Sequence, residues 1–125
     1  MNSDDENRLV YPANVDNTAE KAAWLYHELE RIFRDNNDIE KMCIKTNEFT
    51  QTDTKPKRES AHLEGVVILF CAHKRIVVES KIYSSLKTNS RDVRSHAEER
   101  VGKTDRYWDT KMADAVIAAW HGLNT

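Results

Sequence analysis

Apolar positions recur along this chain at two different spacings, and the alternation between them outlines the fold. Ala19, Ala22, Ala23, Tyr26, Leu29, Ile32 and Phe33 repeat every three to four residues, which predicts a helix from about Thr18 to Arg34 with these residues inward. Asn17 as N-cap and Glu20 at the third helical position resemble a capping box, and Asp35-Asn36-Asn37-Asp38 ends the helix. Ile39 to Phe49 reads as a strand with Ile39, Met42, Ile44 and Phe49 facing in and Glu48 at its C-terminal end. A polar loop broken by Pro56 follows over Gln51 to Arg58. Ser60 to His73 is apolar almost all round, which predicts a central or interfacial helix; a strand over Val66 to Phe70 is the competing assignment, because Val and Ile favour strands.

Arg75 to Tyr83 is a second strand, and Ser84-Ser85 begins a short turn or helix. Ser90 is placed to cap a charged helix over Arg91 to Val101, closed by Gly102. The last helix runs over Trp108 to Gly122, with Asp109 as N-cap and Met112, Ala113, Val116, Ile117 and Trp120 on its apolar face. Helix, strand, helix, strand, helix, helix implies an α/β fold with a parallel strand pair.

Composition narrows this picture. With 125 residues, 39% hydrophobic and 32% charged, the chain supports one modest core. Residues 1–8 are polar and acidic and are expected to be a disordered tail, leaving 9–125 as the domain. A net charge of −2 argues against a uniformly basic, nucleic-acid-coating surface, so any basic site must be local. Cys43 and Cys71 lie in apolar runs without a Cys-x-x-Cys pair, which predicts core thiols and no structural zinc. The His96-Ala97-Glu98 triplet has the His-x-Glu spacing of zinc deaminases, but no cysteine follows Cys71 to complete that site. No signal peptide or membrane-crossing run is visible, so a soluble, cytoplasmic protein is expected.

The chemistry concentrates on acids. Asp114 stands among small apolar residues of the last helix, where a carboxylate is costly unless it is paired, hydrated or bound to a cation. Glu48 ends a strand far away in sequence. Acids at a strand end and at the start of a distant helix suit a hard divalent cation, which activates water and steadies the leaving oxygen of a phosphodiester.

Three segments carry a resemblance. Ile44-Lys45-Thr46-Asn47-Glu48-Phe49 looks like a strand ending in a catalytic Glu followed closely by an aromatic. Arg58 to Tyr83 looks like the helix and strand after it, with Glu64-Gly65-Val66 near a small-residue turn. Ser84 to Ala119 looks like a Ser-x-x-Lys segment, a Lys/Arg-bearing helix and a closing Ala-Asp-Ala-hydrophobic motif. In this order they resemble the RuvC-like branch of the RNase H fold, the Holliday-junction resolvases and their relatives, over about Leu9 to Leu123. The resemblance implies a RuvC-like domain with a reduced, partly parallel sheet flanked by helices.

It further implies an Mg²⁺- or Mn²⁺-dependent nuclease of branched or structured DNA, serving recombination and repair. Glu48 and Asp114 match its metal-binding positions. Asp109 is a weaker third, because an offset of five residues turns it well round the helix from Asp114. Lys57, Arg58, Lys87, Arg91 and Arg94 are candidate DNA-backbone contacts.

One departure stands out. The family opens with a hairpin whose first strand supplies an Asp beside the Glu-bearing strand. Nothing before Leu9 is long or apolar enough for that strand, and Asp4 and Asp5 sit in the polar tail. The expectation is an incomplete site with an open strand edge, paired by a second copy of the chain or by a partner that donates a strand. The alternative is a catalytically degenerate domain that binds nucleic acid or protein through that edge and the Val66 to Phe70 surface.

Overall fold

The computed structural model describes residues 6–124. In chain order they form α1 (Thr18–Asp35), β1 (Lys41–Lys45), α2 (Lys55–Lys74), β2 (Val77–Lys81), the single turn α3 (Tyr83–Leu86), α4 (Val93–Arg100) and α5 (Thr110–Leu123). The sheet is β1 beside β2, flanked by helices. Its direction follows from two bonds: Val77 N–H donates to Glu40 O (3.2 Å) and Thr46 N–H to Lys81 O (2.9 Å). Both strands therefore ascend together, in a parallel ladder joined through α2, as a βαβ crossover requires.

The described chain divides into two compact units. One comprises Val10–Met42 and Asn47–Val78; the other comprises 6–9, Cys43–Thr46 and 79–124, so the boundary passes through both strands.

In the first unit α1 packs on α2. Asn17 caps α1, its side chain accepting from Glu20 N–H (2.8 Å), while Glu20 accepts from Asp16 N–H (3.3 Å). That pair is the reciprocal arrangement expected of a capping box, displaced by one residue on the return bond. The buried face of α1 is centred on Leu25 and Leu29, and Ala19 and Ala23 are exposed. Leu25 was not among the inward positions expected; the real stripe lies to one side of the alanine row, because bulk rather than mere apolarity wins the contact with α2. Leu25, Leu29, Phe70 and Cys71 form the core, with Trp24, Tyr26, Phe33, Met42 and Val67 around it. Phe70 meets Tyr26 (5.4 Å) and Phe33 (5.0 Å) edge-on.

Two expectations for this region are corrected. The second helix begins at Lys55, five residues earlier than the pattern indicated. Thr54 caps it, accepting from Lys57 N–H (3.3 Å), and Pro56 lies in its first turn, where a missing N–H costs nothing. Pro56 thus starts the helix instead of breaking a loop. Glu64-Gly65-Val66 lies within α2 and is not a turn; a Cβ on Gly65 would meet nothing within 4 Å. The strand assignment for Val66 to Phe70 is likewise excluded. Phe49 is 87% exposed and not an inward residue, and β1 ends at Lys45.

In the second unit α4 packs on α5 around Leu86, Val93, Ala97, Ala113, Val116, Ile117 and Ala118. Five of these are alanine or valine, and Val93, Ala97, Ala113 and Ala118 are completely buried, so the two helices approach closely. Asn89, not Ser90, prepares α4: its Oδ1 accepts from the N–H groups of Arg91 (3.0 Å) and Asp92 (2.9 Å). Gly102, at φ 123°, lets the chain turn back, with its N–H on Ala97 O (3.0 Å). α5 runs one residue past Gly122, which is buried within it. Within the N-terminal stretch, Glu6 accepts from the N–H groups of Arg106 and Tyr107. No described helix is long and apolar enough to cross a membrane.

Candidate functional site

Asp114 lies in the second turn of α5, half-buried, on the flank of the apolar face that packs Ala113 and Ile117. Its Oδ1 accepts a hydrogen bond from the Tyr83 hydroxyl at 2.7 Å. Tyr83 opens α3, where the chain leaves β2, and its ring packs against the Leu86–Ile117 core. Lys45, the last residue of β1, places its ammonium 4.0 Å from the centroid of that ring. Strand end, tyrosine and acid thus form one line within a single unit: a cation over an aromatic face whose hydroxyl holds a carboxylate. The hydroxyl fixes one oxygen of Asp114 and orients the other. Sequence pattern did not single out Tyr83. Its signal was its place directly before Ser84-Ser85-Leu86-Lys87, two residues after the strand.

Glu48 lies in the other unit, half-buried, three residues beyond β1 in the segment leading to α2. Asp109 is the N-cap of α5, as its position indicated, and its Oδ1 accepts from Met112 N–H at 2.8 Å. One carboxylate oxygen is therefore occupied by the backbone. Asp4 and Asp5 lie outside the described residues. Among the described residues no three His, Cys, Asp or Glu side chains gather closely enough to hold a metal ion. The donor chemistry of Asp114 and Glu48 is that of a hard cation, but the described residues do not complete a metal centre.

The candidate DNA contacts separate into two groups. Lys57 is engaged with its own loop, donating to the Thr50 hydroxyl and to Thr52 O (3.1 Å). Arg58 is paired with Asp53 through Nε (2.8 Å) and a second nitrogen, and that bond raises its pKa further. Both therefore brace the segment before α2. Lys87, Arg91 and Arg94 are exposed in the other unit, at the end of α3 and the start of α4. Arg91 has only a loose contact with Asp92 (3.8 Å).

The remaining candidates are structural. Cys71 is fully buried and its thiol is pushed up by desolvation, which makes it unreactive. His96 bonds the Thr88 hydroxyl through Nδ1 (2.6 Å), and Ala97 is buried in the α4–α5 core. Trp24 meets the Tyr11 ring at a tilt of 58° (4.9 Å) and Trp108 packs on the second core.

No family model matches this chain, and no curated protein matches it. Among solved structures it is similar to RuvC of Thermus thermophilus, with a TM-score of 0.69 at 12% identity over 93% of this chain and 76% of that one. It is also similar to T. thermophilus RuvC in complex with a Holliday junction substrate, with a TM-score of 0.65 at 12% identity over 88% of this chain and 70% of that one. The chain, with its parallel β1–β2 pair joined through α2, therefore has a RuvC-like fold.

Proposed function

We propose that this chain is an Mg²⁺-dependent endonuclease-related domain that acts on branched or structured DNA. The observation that supports this most is the likeness, over 88% of the chain, to a RuvC solved with a Holliday junction substrate. Glu48 and Asp114 are the proposed carboxylate ligands, with Asp109 a weaker third because its Oδ1 already caps α5. When bound, the ion supplies Lewis acidity and an activated water. What the chain's own residues do is position: the Tyr83 hydroxyl holds Asp114 in one orientation, and Lys45 holds the Tyr83 ring. Lys87, Arg91 and Arg94 are proposed to contact the DNA backbone, with Lys57 and Arg58 contributing through the loop they brace. The rest of the donor set is proposed to come from a second copy of the chain or from a partner strand.

The test is cleavage of a four-way junction by the purified protein in Mg²⁺ or Mn²⁺. The expected result is nicking that Glu48→Gln and Asp114→Asn each reduce by at least about a hundredfold, with junction binding retained. Tyr83→Phe is expected to reduce it by roughly tenfold, the value of one charge-assisted hydrogen bond. Junction binding that ignores metal, without nicking, would instead identify a binding module.

A further inference from the structure

Arg100 and His121 come together on Trp120 near the C-terminal end of α5, where the charges of Lys81 and Lys87 also act on the imidazole, and of the four only Lys87 has a role above. Lys81 is the last residue of β2, Lys87 caps α3, Arg100 ends α4, and His121 lies in the last turn of α5. Each stands where an element ends in carbonyl groups, and helix carbonyl ends draw positive charge. All four lie in one unit, at the corner around His121.

That corner is ordered. Arg100 donates to His96 O (3.2 Å), and its guanidinium lies over the Trp120 ring at 5.2 Å. Trp120 in turn meets the His121 imidazole edge-on at 5.0 Å. Lys87 is held at φ 55°, with its N–H on Ser84 O (3.3 Å). Of the four, Lys81 alone is ion-paired among the described residues, with Glu79 at 3.3 Å. The imidazole is held below its ordinary pKa, first by desolvation and then by the charges of Arg100, Lys81 and Lys87; its bond to the Leu86 backbone opposes this only in part. A group of positive charges that repel one another is stabilised by an incoming anion.

We propose that Arg100 and His121, with Lys81 and Lys87, form a binding site for a phosphate group of a nucleic-acid backbone. It rests on the DNA-binding function proposed above and adds a second anchor, on the end of α5 away from Asp114. Arg100 presents the planar fork that fits a phosphate, pre-oriented by Trp120. His121 accepts a proton when the anion arrives and becomes a second donor.

The direct test follows the His121 imidazole by NMR as pH is varied, at constant ionic strength, in chloride, in inorganic phosphate and with a short unbranched DNA duplex. His27 is the reference, since its side chain is 75% exposed and lies in the other unit. The expected result is that phosphate and duplex each raise the His121 pKa while His27 is unmoved. A His121 that responds no more than His27 overturns the proposal, and a response to inorganic phosphate without one to duplex overturns the nucleic-acid assignment. As a second measurement, Arg100→Gln is expected to make the slope of log affinity against log salt shallower by about one for duplex. An unchanged slope and affinity also counts against the site. If His121 responds to duplex but no junction is nicked, the nuclease proposal fails and this site stands.

Discussion

The two units of the chain bury their helices by opposite means. Between α1 and α2 the core is aromatic and aliphatic bulk, with Phe70 at its centre and rings touching at their edges. Between α4 and α5 it is mostly alanine and valine, with Val93, Ala97, Ala113 and Ala118 completely buried. The first unit also leaves large apolar residues in water, Ile68, Leu69 and Val77 being 41%, 50% and 58% exposed. The second carries half-buried Asp114 and the exposed cations Lys87, Arg91, Arg94 and Arg100. A close helix pair built on small side chains leaves little freedom in the relative rotation of its helices. That rigidity suits residues whose oxygens must be placed accurately, and it is where Tyr83, Asp114 and His121 all reside.

Substitutions separate the two kinds of packing. The largest effect is expected from Phe70→Ala, which empties the centre of the first core and should cost about 3–5 kcal/mol in urea unfolding. Ala97→Leu overfills the second, at about 1–3 kcal/mol, and should also alter the chemical shifts around Tyr83 and Asp114, which Phe70→Ala should spare. The two helix caps provide a matched pair: Asn17→Ala and Asp109→Ala should each cost about 1 kcal/mol by the same assay. Only Asp109→Ala should lower junction cleavage as well, because it frays the turn that leads to Asp114.

The smallest effect is expected from pH. Desolvation alone would raise the Glu6 pKa, but the bonds from the N–H groups of Arg106 and Tyr107 act against it, and the net shift is downward. A carboxylate depressed on folding contributes stability above its unfolded pKa and loses it as pH falls through the folded value. Amide exchange of Arg106 and Tyr107 should therefore accelerate over that acidic window, and Glu6→Gln should weaken the pH dependence.

Element types and their order were legible because periodicity reports burial directly. Boundaries were less so. Pro56 read as a loop breaker because its effect depends on whether it falls in a first turn, and that was decided by Thr54 two residues earlier. Leu29 was legible but Leu25 was missed, because a row of alanines satisfies the same periodicity as the residues that fill the interface. Asp109 as cap and Asp114 as the unusual acid were visible, since helix starts and lone charges have local signatures. Tyr83 and the Arg100–His121 group were not visible. Tyr83 and Asp114 are 31 positions apart, and a sequence window registers nothing at that range.

Arg75 and Lys87 both adopt left-handed backbone, at φ 57° and 55°, where glycine is the usual occupant. Each bulky residue there costs roughly 1 kcal/mol relative to glycine. Directed evolution for heat resistance alone would drift toward glycine at both positions. At 75 the gain would carry no penalty for the group around His121. At 87 it would delete one of that group's four members, so a hardier descendant should grip its polymer less firmly.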